Sequence, residues 1–189
     1  MKYRLLLVSL LLSCPTFAAI NWSIDHTNSI ISFTATQNNA PVTGKFTSFT
    51  GAVTFSPEQL NESKATLTVD INSVKTSYAL VGETLKTGEW FDAAQFPKGI
   101  FKSTVITKTG DNTFVAKGTL TLRNKTLPID VKFTLEKFTA TDAKVTGTTT
   151  IKRTAFGIGR GDWSKTDEIK DDVLINFTII AKETGVKSK

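Results

Sequence analysis

Gly118-Thr-Leu-Thr-Leu-Arg-Asn-Lys-Thr-Leu-Pro-Ile-Asp-Val-Lys-Phe-Thr-Leu-Glu-Lys-Phe138 alternates apolar and polar residues on both sides of a polar break, Arg123-Asn124-Lys125-Thr126. A period of two marks a strand with one buried face and one wet face. Two such runs around a short polar turn make an antiparallel hairpin. Leu120 and Leu122 share a face on the first side. Ile129, Val131, Phe133 and Leu135 share a face on the second, while Asp130, Lys132, Thr134 and Glu136 point the other way.

The same pattern recurs along the chain. Ser29 to Ala35 reads as a strand, and Gln37 to Thr43 as a polar connection rich in turn residues. Gly44 and Gly51 bracket aromatics ahead of Ala52 to Phe55, as in a sheet that must curl. Ser56-Pro57-Glu58 carries the chemistry of a short helix start. Lys64 to Asn72 is a clean strand with Ala65, Leu67, Val69 and Ile71 on one face. The alternation then stops, and residues 76–91 read as a helical insertion, broken at Gly82 or Gly88. Strands resume at Ile100 to Lys108, Phe114 to Leu122 and Leu127 to Phe138. They continue at Lys144 to Arg153 and, after a glycine-rich turn and a polar loop, at Asp171 to Lys182. Roughly eight strands at hairpin spacing predict an all-β, closed, antiparallel up-and-down barrel, with an open sandwich as the second choice.

Residues 1–18 read as a signal peptide. Lys2 and Arg4 form a basic head, Leu5 to Leu12 an apolar run, and Thr16-Phe17-Ala18 a small-residue cleavage site. The run is too short for a membrane span. Leu11-Leu12-Ser13-Cys14 is a poor lipobox because a large Leu precedes the Ser. The barrel domain would then be 19–184 and a polar tail 185–189, with the mature chain in the periplasm. The only Cys is Cys14, so the mature chain has no thiol for zinc or covalent chemistry. The formal charge of +6 becomes +4 without Lys2 and Arg4, and the basic residues are scattered. This argues against nucleic acid as a partner, and no later apolar run predicts a membrane-spanning helix.

Five blocks in order resemble the YceI family of periplasmic, lipocalin-like proteins. Trp22-Ser-Ile24-Asp25 with Ser29 and Phe33 is similar to its opening. Gly44-Lys-Phe46-Thr-Ser-Phe49-Thr-Gly51 resembles its second block. Trp90-Phe91-Asp92, Phe96-Pro97 and Phe101-Lys102-Ser103 resemble the middle. Gly118 to Pro128 resembles the hairpin, and Arg153-Thr-Ala-Phe156-Gly157 the late signature. The family often has a His where this chain has Asn28, and a Gly where it has Asn124.

The resemblance implies a long apolar channel holding an isoprenoid lipid or isoprenoid quinone. With no Cys in the mature chain and a single His, no covalent cofactor, no metal and no catalytic residue is expected. Some relatives occur fused to or beside membrane cytochromes, so a cytochrome is an implied partner, and a homodimer would fit. The candidate channel wall begins with Phe33, Phe46, Phe49, Phe55, Leu67 and Val69. It continues with Phe101, Leu120, Leu122, Val131, Phe133, Ile175 and Phe177. These could equally be plain core, since small barrels are often filled by their own side chains. Arg153 is the first candidate for a headgroup, because a planar guanidinium donates to carbonyl or phosphate oxygen. Asp92 is the second, with a turn cap as its competing role. Two other classes stay open. One is an enzyme acting on a bound lipid, which would hang on the lone His26. The other is a filled barrel that binds a protein.

Overall fold

The computed structural model describes residues 19–184. The expected signal peptide at 1–18 and the polar tail at 185–189 lie outside the described residues. The strands are β1 (Ile20–Ile24), β2 (Ile30–Gln37), β3 (Ala40–Phe46), β4 (Phe49–Phe55), β5 (Lys64–Asp70) and β6 (Val74–Thr76). After helix α1 (Ala79–Lys86) come β7 (Lys98–Lys108), β8 (Thr113–Leu122), β9 (Lys125–Phe138), β10 (Asp142–Lys152) and β11 (Asp172–Glu183).

All pairings are antiparallel, and the ring β1-β4-β5-β7-β8-β9-β10-β11 closes through β1 on β11. The remaining segments complete one end of it. β2 pairs with residues 174–178 of β11, above the 181–183 stretch held by β1. β1 and β2 thus follow one path, interrupted by a turn. β3 runs on into β4, and β5 into β6 through the tight turn Ile71–Ser73. Eleven segments make eight paths, the barrel that the alternation predicts.

The interruption after β1 is an Asp-built turn. Asp25 Oδ1 accepts the backbone N–H groups of Thr27 at 3.0 Å and Asn28 at 3.2 Å, and Oδ2 accepts Asn28 Nδ2 at 2.9 Å. Those bonds, the Asn28 side chain's first, hold the Asp25 carboxyl below its usual range. Asn28 therefore serves the turn.

Four local readings change. Residues 37–43 are no loose connection: Asn38 and Asn39, at φ 49° and 60°, make a two-residue turn and β3 starts at Ala40. Ser56-Pro57-Glu58 opens a series of turns, with Ser56 Oγ bonded to Glu58 Oε2 at 2.8 Å, and forms no helix. The helix within 76–91 is only Ala79–Lys86. Gly82 lies inside it, and turns follow from Thr87. The hairpin turn is also tighter than the polar run suggests. Leu122 pairs with Lys125, and Arg123, at φ 53°, is the left-handed residue there.

Inward positions follow the alternation except in β7 and at the end of β9, where a shift against β10 after Leu135 turns Phe138 inward. The register of β7 against β8 shifts between Ser103 and Val105, so Phe101 and Ile106 both face inward. One end of the barrel is filled by aromatics. Phe55 meets Phe114 edge-on at 5.5 Å, Phe114 stacks on Phe133 at 5.2 Å, and Trp22 lies 5.3 Å from Phe138. Trp22 Nε1 donates to Phe55 O at 3.0 Å. In the middle, two large rings are laid on the wall. Phe33 pairs across the sheet with Gly44, and Phe177 with Gly147. A Cβ on either glycine would lie 2.3 Å from the partner's Cζ. Each ring covers its glycine and leaves the lumen clear.

Gly147→Ala must push the Phe177 ring inward or strain Lys132 O, which would be 2.6 Å from the new Cβ. The expected loss of stability is about 1–3 kcal/mol, read as a lower urea midpoint with an unchanged slope. An unchanged midpoint would show that the ring does not rest on Gly147.

Candidate functional site

The barrel encloses a cavity of about 450 Å³, within the range of ligand pockets. Strand periodicity builds its wall. Ala65, Leu67 and Val69 come from β5, Leu120 and Leu122 from β8, Ile129, Val131, Phe133 and Leu135 from β9, and Val173, Ile175 and Phe177 from β11. Polar side chains in the wall are few: Ser32, Gln37, Thr84, Thr149 and Arg153. The aromatic cluster around Phe55 and Phe133 is the floor.

The other end is covered by α1 and two loops. Leu80, Val81, Thr84 and Leu85 of α1 line the cavity with Trp90, Phe91, Ile158 and Trp163. The loops are clasped together. Glu89 O accepts the N–H groups of Gly159 at 2.9 Å and Arg160 at 2.8 Å. Glu89 Oε2 accepts Trp163 Nε1 at 2.9 Å, and Trp90 lies 5.8 Å from Trp163. The cover is incomplete at α1, where Leu80 both lines the cavity and is 79% exposed.

Twelve of the thirteen candidate wall residues border this cavity. Phe49 does not. It is buried at the joint of β3 and β4 among Ile24, Ile31 and Ile179, with the His26 ring edge-on at 5.3 Å. Its strand parity is right, but the joint lies in the wall. His26 is accordingly at that joint and not in the cavity wall.

Both headgroup candidates are corrected. Arg153 is 2% exposed, and every N–H of its guanidinium is engaged. Nε donates to Lys170 O at 3.2 Å, and Nη1 to Ile158 O at 3.1 Å and Trp163 O at 2.8 Å. Nη2 donates to Lys165 O at 2.7 Å and Ile169 O at 2.8 Å. A guanidinium has five N–H donors, so none is left for a ligand. Burial lowers the Arg153 pKa and Asp171 opposes it, yet an arginine stays charged throughout. The glycine turn is shaped around this group. Gly159 has φ 77°, and a Cβ there would lie 2.1 Å from Arg153 Nη1. Asp92 is absent from the cavity wall. It sits in a turn at φ 53°, its backbone O accepts the Gln95 and Phe96 N–H groups, and its carboxylate pairs with Arg123 at 3.4 Å.

Arg123 is the organising residue that the hairpin pattern hides, since a charged hairpin tip ordinarily points to water. It is 6% exposed, donates to Gly88 O at 2.9 Å and to Trp90 O, and stacks over Phe96 at 5.5 Å. Burial, then Arg160, lowers its pKa, and Asp92 raises it. Two buried donors lack a partner among the described residues, Arg123 Nε and Trp90 Nε1. The Trp90 ring borders the cavity.

Comparison with known proteins agrees with this architecture. The family model for the YceI-like domain matches residues 22–181. A UPF0312 protein of Pseudomonas aeruginosa (strain LESB58) is 30% identical over 120 residues, 61% of this chain and 62% of the relative. Protein YceI of Salmonella arizonae is 34% identical over 89 residues, 47% of this chain and 46% of the relative. The chain thus spans less than two thirds of the length of these curated relatives. The crystal structure of BcnA from Burkholderia cenocepacia matches with a TM-score of 0.79 at 30% identity, over 83% of this chain and 98% of that one. A polyisoprenoid binding domain from Saccharophagus degradans matches with a TM-score of 0.67 at 18% identity, over 87% of this chain and 99% of that one. That last likeness is one of fold.

Arg153→Lys keeps the charge but offers only three donors, so at least two of the five carbonyls lose their partner. The expected loss is about 2–5 kcal/mol in urea unfolding, with faster amide exchange across residues 154–171. Wild-type stability in the variant would remove the anchoring role.

Proposed function

The chain belongs to the YceI family, and on that premise we propose that it is a periplasmic binding protein that carries an isoprenoid lipid in its barrel. The observation that carries this reading is the open, floored, apolar cavity running up to α1. The Saccharophagus degradans domain of the same fold, described as polyisoprenoid binding, supports it. Burial of a methylene contributes about 0.8 kcal/mol, so each isoprene unit contributes about 4 kcal/mol before ordering costs. A few units suffice for retention without a polar contact. With Arg153 and Asp92 engaged elsewhere, the hydrocarbon dominates recognition. The polar end of the ligand would lie at the mouth beside α1, where Thr84 is the polar side chain that the helix gives to the wall.

A binding role is favoured over an enzymatic one because the single His, His26, packs on Phe49 at the joint of the wall. The basic head and apolar run of residues 1–18 support export. If the cargo is a quinone, a membrane cytochrome is the partner that would use it.

Organic extraction of the protein purified from the periplasm should release an isoprenoid or quinone near one per chain, identified by mass spectrometry. Leu120→Trp adds bulk into the cavity; it should keep the circular dichroism of the barrel and lose most of that lipid. An empty extract together with no uptake of added isoprenoid alcohol would overturn the carrier reading.

A further inference from the structure

The first turn of α1 is an exposed apolar tip. Tyr78 is 74% exposed and Leu80 79% exposed, with exposed Ala79 between them. Leu80 also lines the cavity, so this tip stands at its mouth. Exposed Ala40 and Pro41 lie on the neighbouring hairpin. β3 and β6 align Gly44 with Thr76 and Lys45 with Lys75, which directs Val42, a wall residue, toward the level of Tyr78.

The charges beside the tip are basic. Lys45 and Lys75 are exposed cross-strand partners. Lys75 acts on Glu83 through space, and Glu83 is paired with Lys86 at 2.8 Å. Of the other acidic residues at this end, Glu89 follows α1 and clasps the loop at Trp163, and Glu168, whose backbone O accepts the Asn38 N–H, lies beyond the hairpin.

We propose that the Tyr78-Ala79-Leu80 tip, with Lys45 and Lys75, docks the mouth of the cavity on an anionic bilayer surface. This rests on the lipid-carrier reading. A long isoprenoid has no aqueous route, because each methylene moved into water lowers its concentration there about fourfold. The mouth must therefore meet the bilayer directly. Tyr and Leu suit the headgroup boundary, where an amphipathic ring and an apolar side chain both find partners. Lysines near an anionic surface add attraction that salt screens.

The test has two readouts. Flotation of unloaded protein with phosphatidylglycerol–phosphatidylethanolamine vesicles reads docking alone. Binding should be salt-sensitive, weaker on phosphatidylcholine vesicles, and reduced at least tenfold by Tyr78→Ser with Leu80→Ser; both sites are exposed, so the fold should persist by circular dichroism. Transfer of fluorescent geranylgeraniol from loaded protein should rise in rate with vesicle concentration, and Tyr78→Ser should slow it at unchanged probe capacity. Failure to retain the probe would sink the carrier reading while flotation still decides docking. Absent flotation, flotation indifferent to the substitutions, or transfer independent of vesicle concentration would overturn the docking. So would a dimer that dissociates on substitution without any vesicle effect, which would make the tip a self-interface.

Discussion

Closure of β11 on two segments at once is the constraint on which everything else depends. β1 takes its lower residues and β2 its upper ones. A sheet with an open edge would present unpaired backbone groups and would collapse onto its own apolar face. A closed ring satisfies its backbone internally, so the wall stands without anything inside it. The joints in the paths, at Asp25 to Asn28, at Thr47-Ser48 and at Ile71–Ser73, are where the barrel bends while the ladder continues. Phe49 belongs to this supporting structure, which is why it is buried yet apart from the cavity.

The interior divides by the size and placement of its side chains. Aromatics gathered around Phe55 and Phe114 fill one end. In the middle, glycine and phenylalanine face each other across the sheet, and large side chains occupy wall thickness where they would otherwise occupy lumen. The other end is covered by irregular chain, which brings unpaired carbonyls into a dry place. Two buried arginines answer that need. Arg153 gathers the loop after β10, and Arg123 gathers the loop after α1. Each combines a charge with several backbone acceptors, the arrangement in which a buried guanidinium is tolerated. The cover is polar in its wiring and apolar toward the cavity.

Much of this was legible in the chain. Strict alternation in β5, β8 and β11, and in β9 as far as Leu135, names the inward residues, and most of the expected wall lies where the alternation puts it. What escaped has particular causes. The register shift in β7 reverses inside and outside part-way along a strand, and local periodicity carries no sign of where. The helix came out short because aromatic spacing continues into turns through Trp90 and Phe91. Arg153 acts as the planar multiple donor that its chemistry suggests, but its acceptors are backbone carbonyls, which every residue has and no side-chain pattern reveals. Arg123 sat in plain view as a turn residue, and only contact with the loop after α1 gives it a burial.

The sequence by itself determined an antiparallel barrel of about eight paths with an apolar lining, because strand periodicity is a property of neighbouring residues along the chain. Tertiary structure alone decided whether that lining encloses space. The pairs that keep the lumen open, Phe33 with Gly44 and Phe177 with Gly147, meet through register. It likewise decided which end is floor and which is mouth, since the aromatics of the floor come from β1, β4, β8 and β9 and converge only when the ring closes. And it turned two arginines from surface chemistry into internal struts, because a guanidinium's role is set by the acceptors that surround it once the chain is folded.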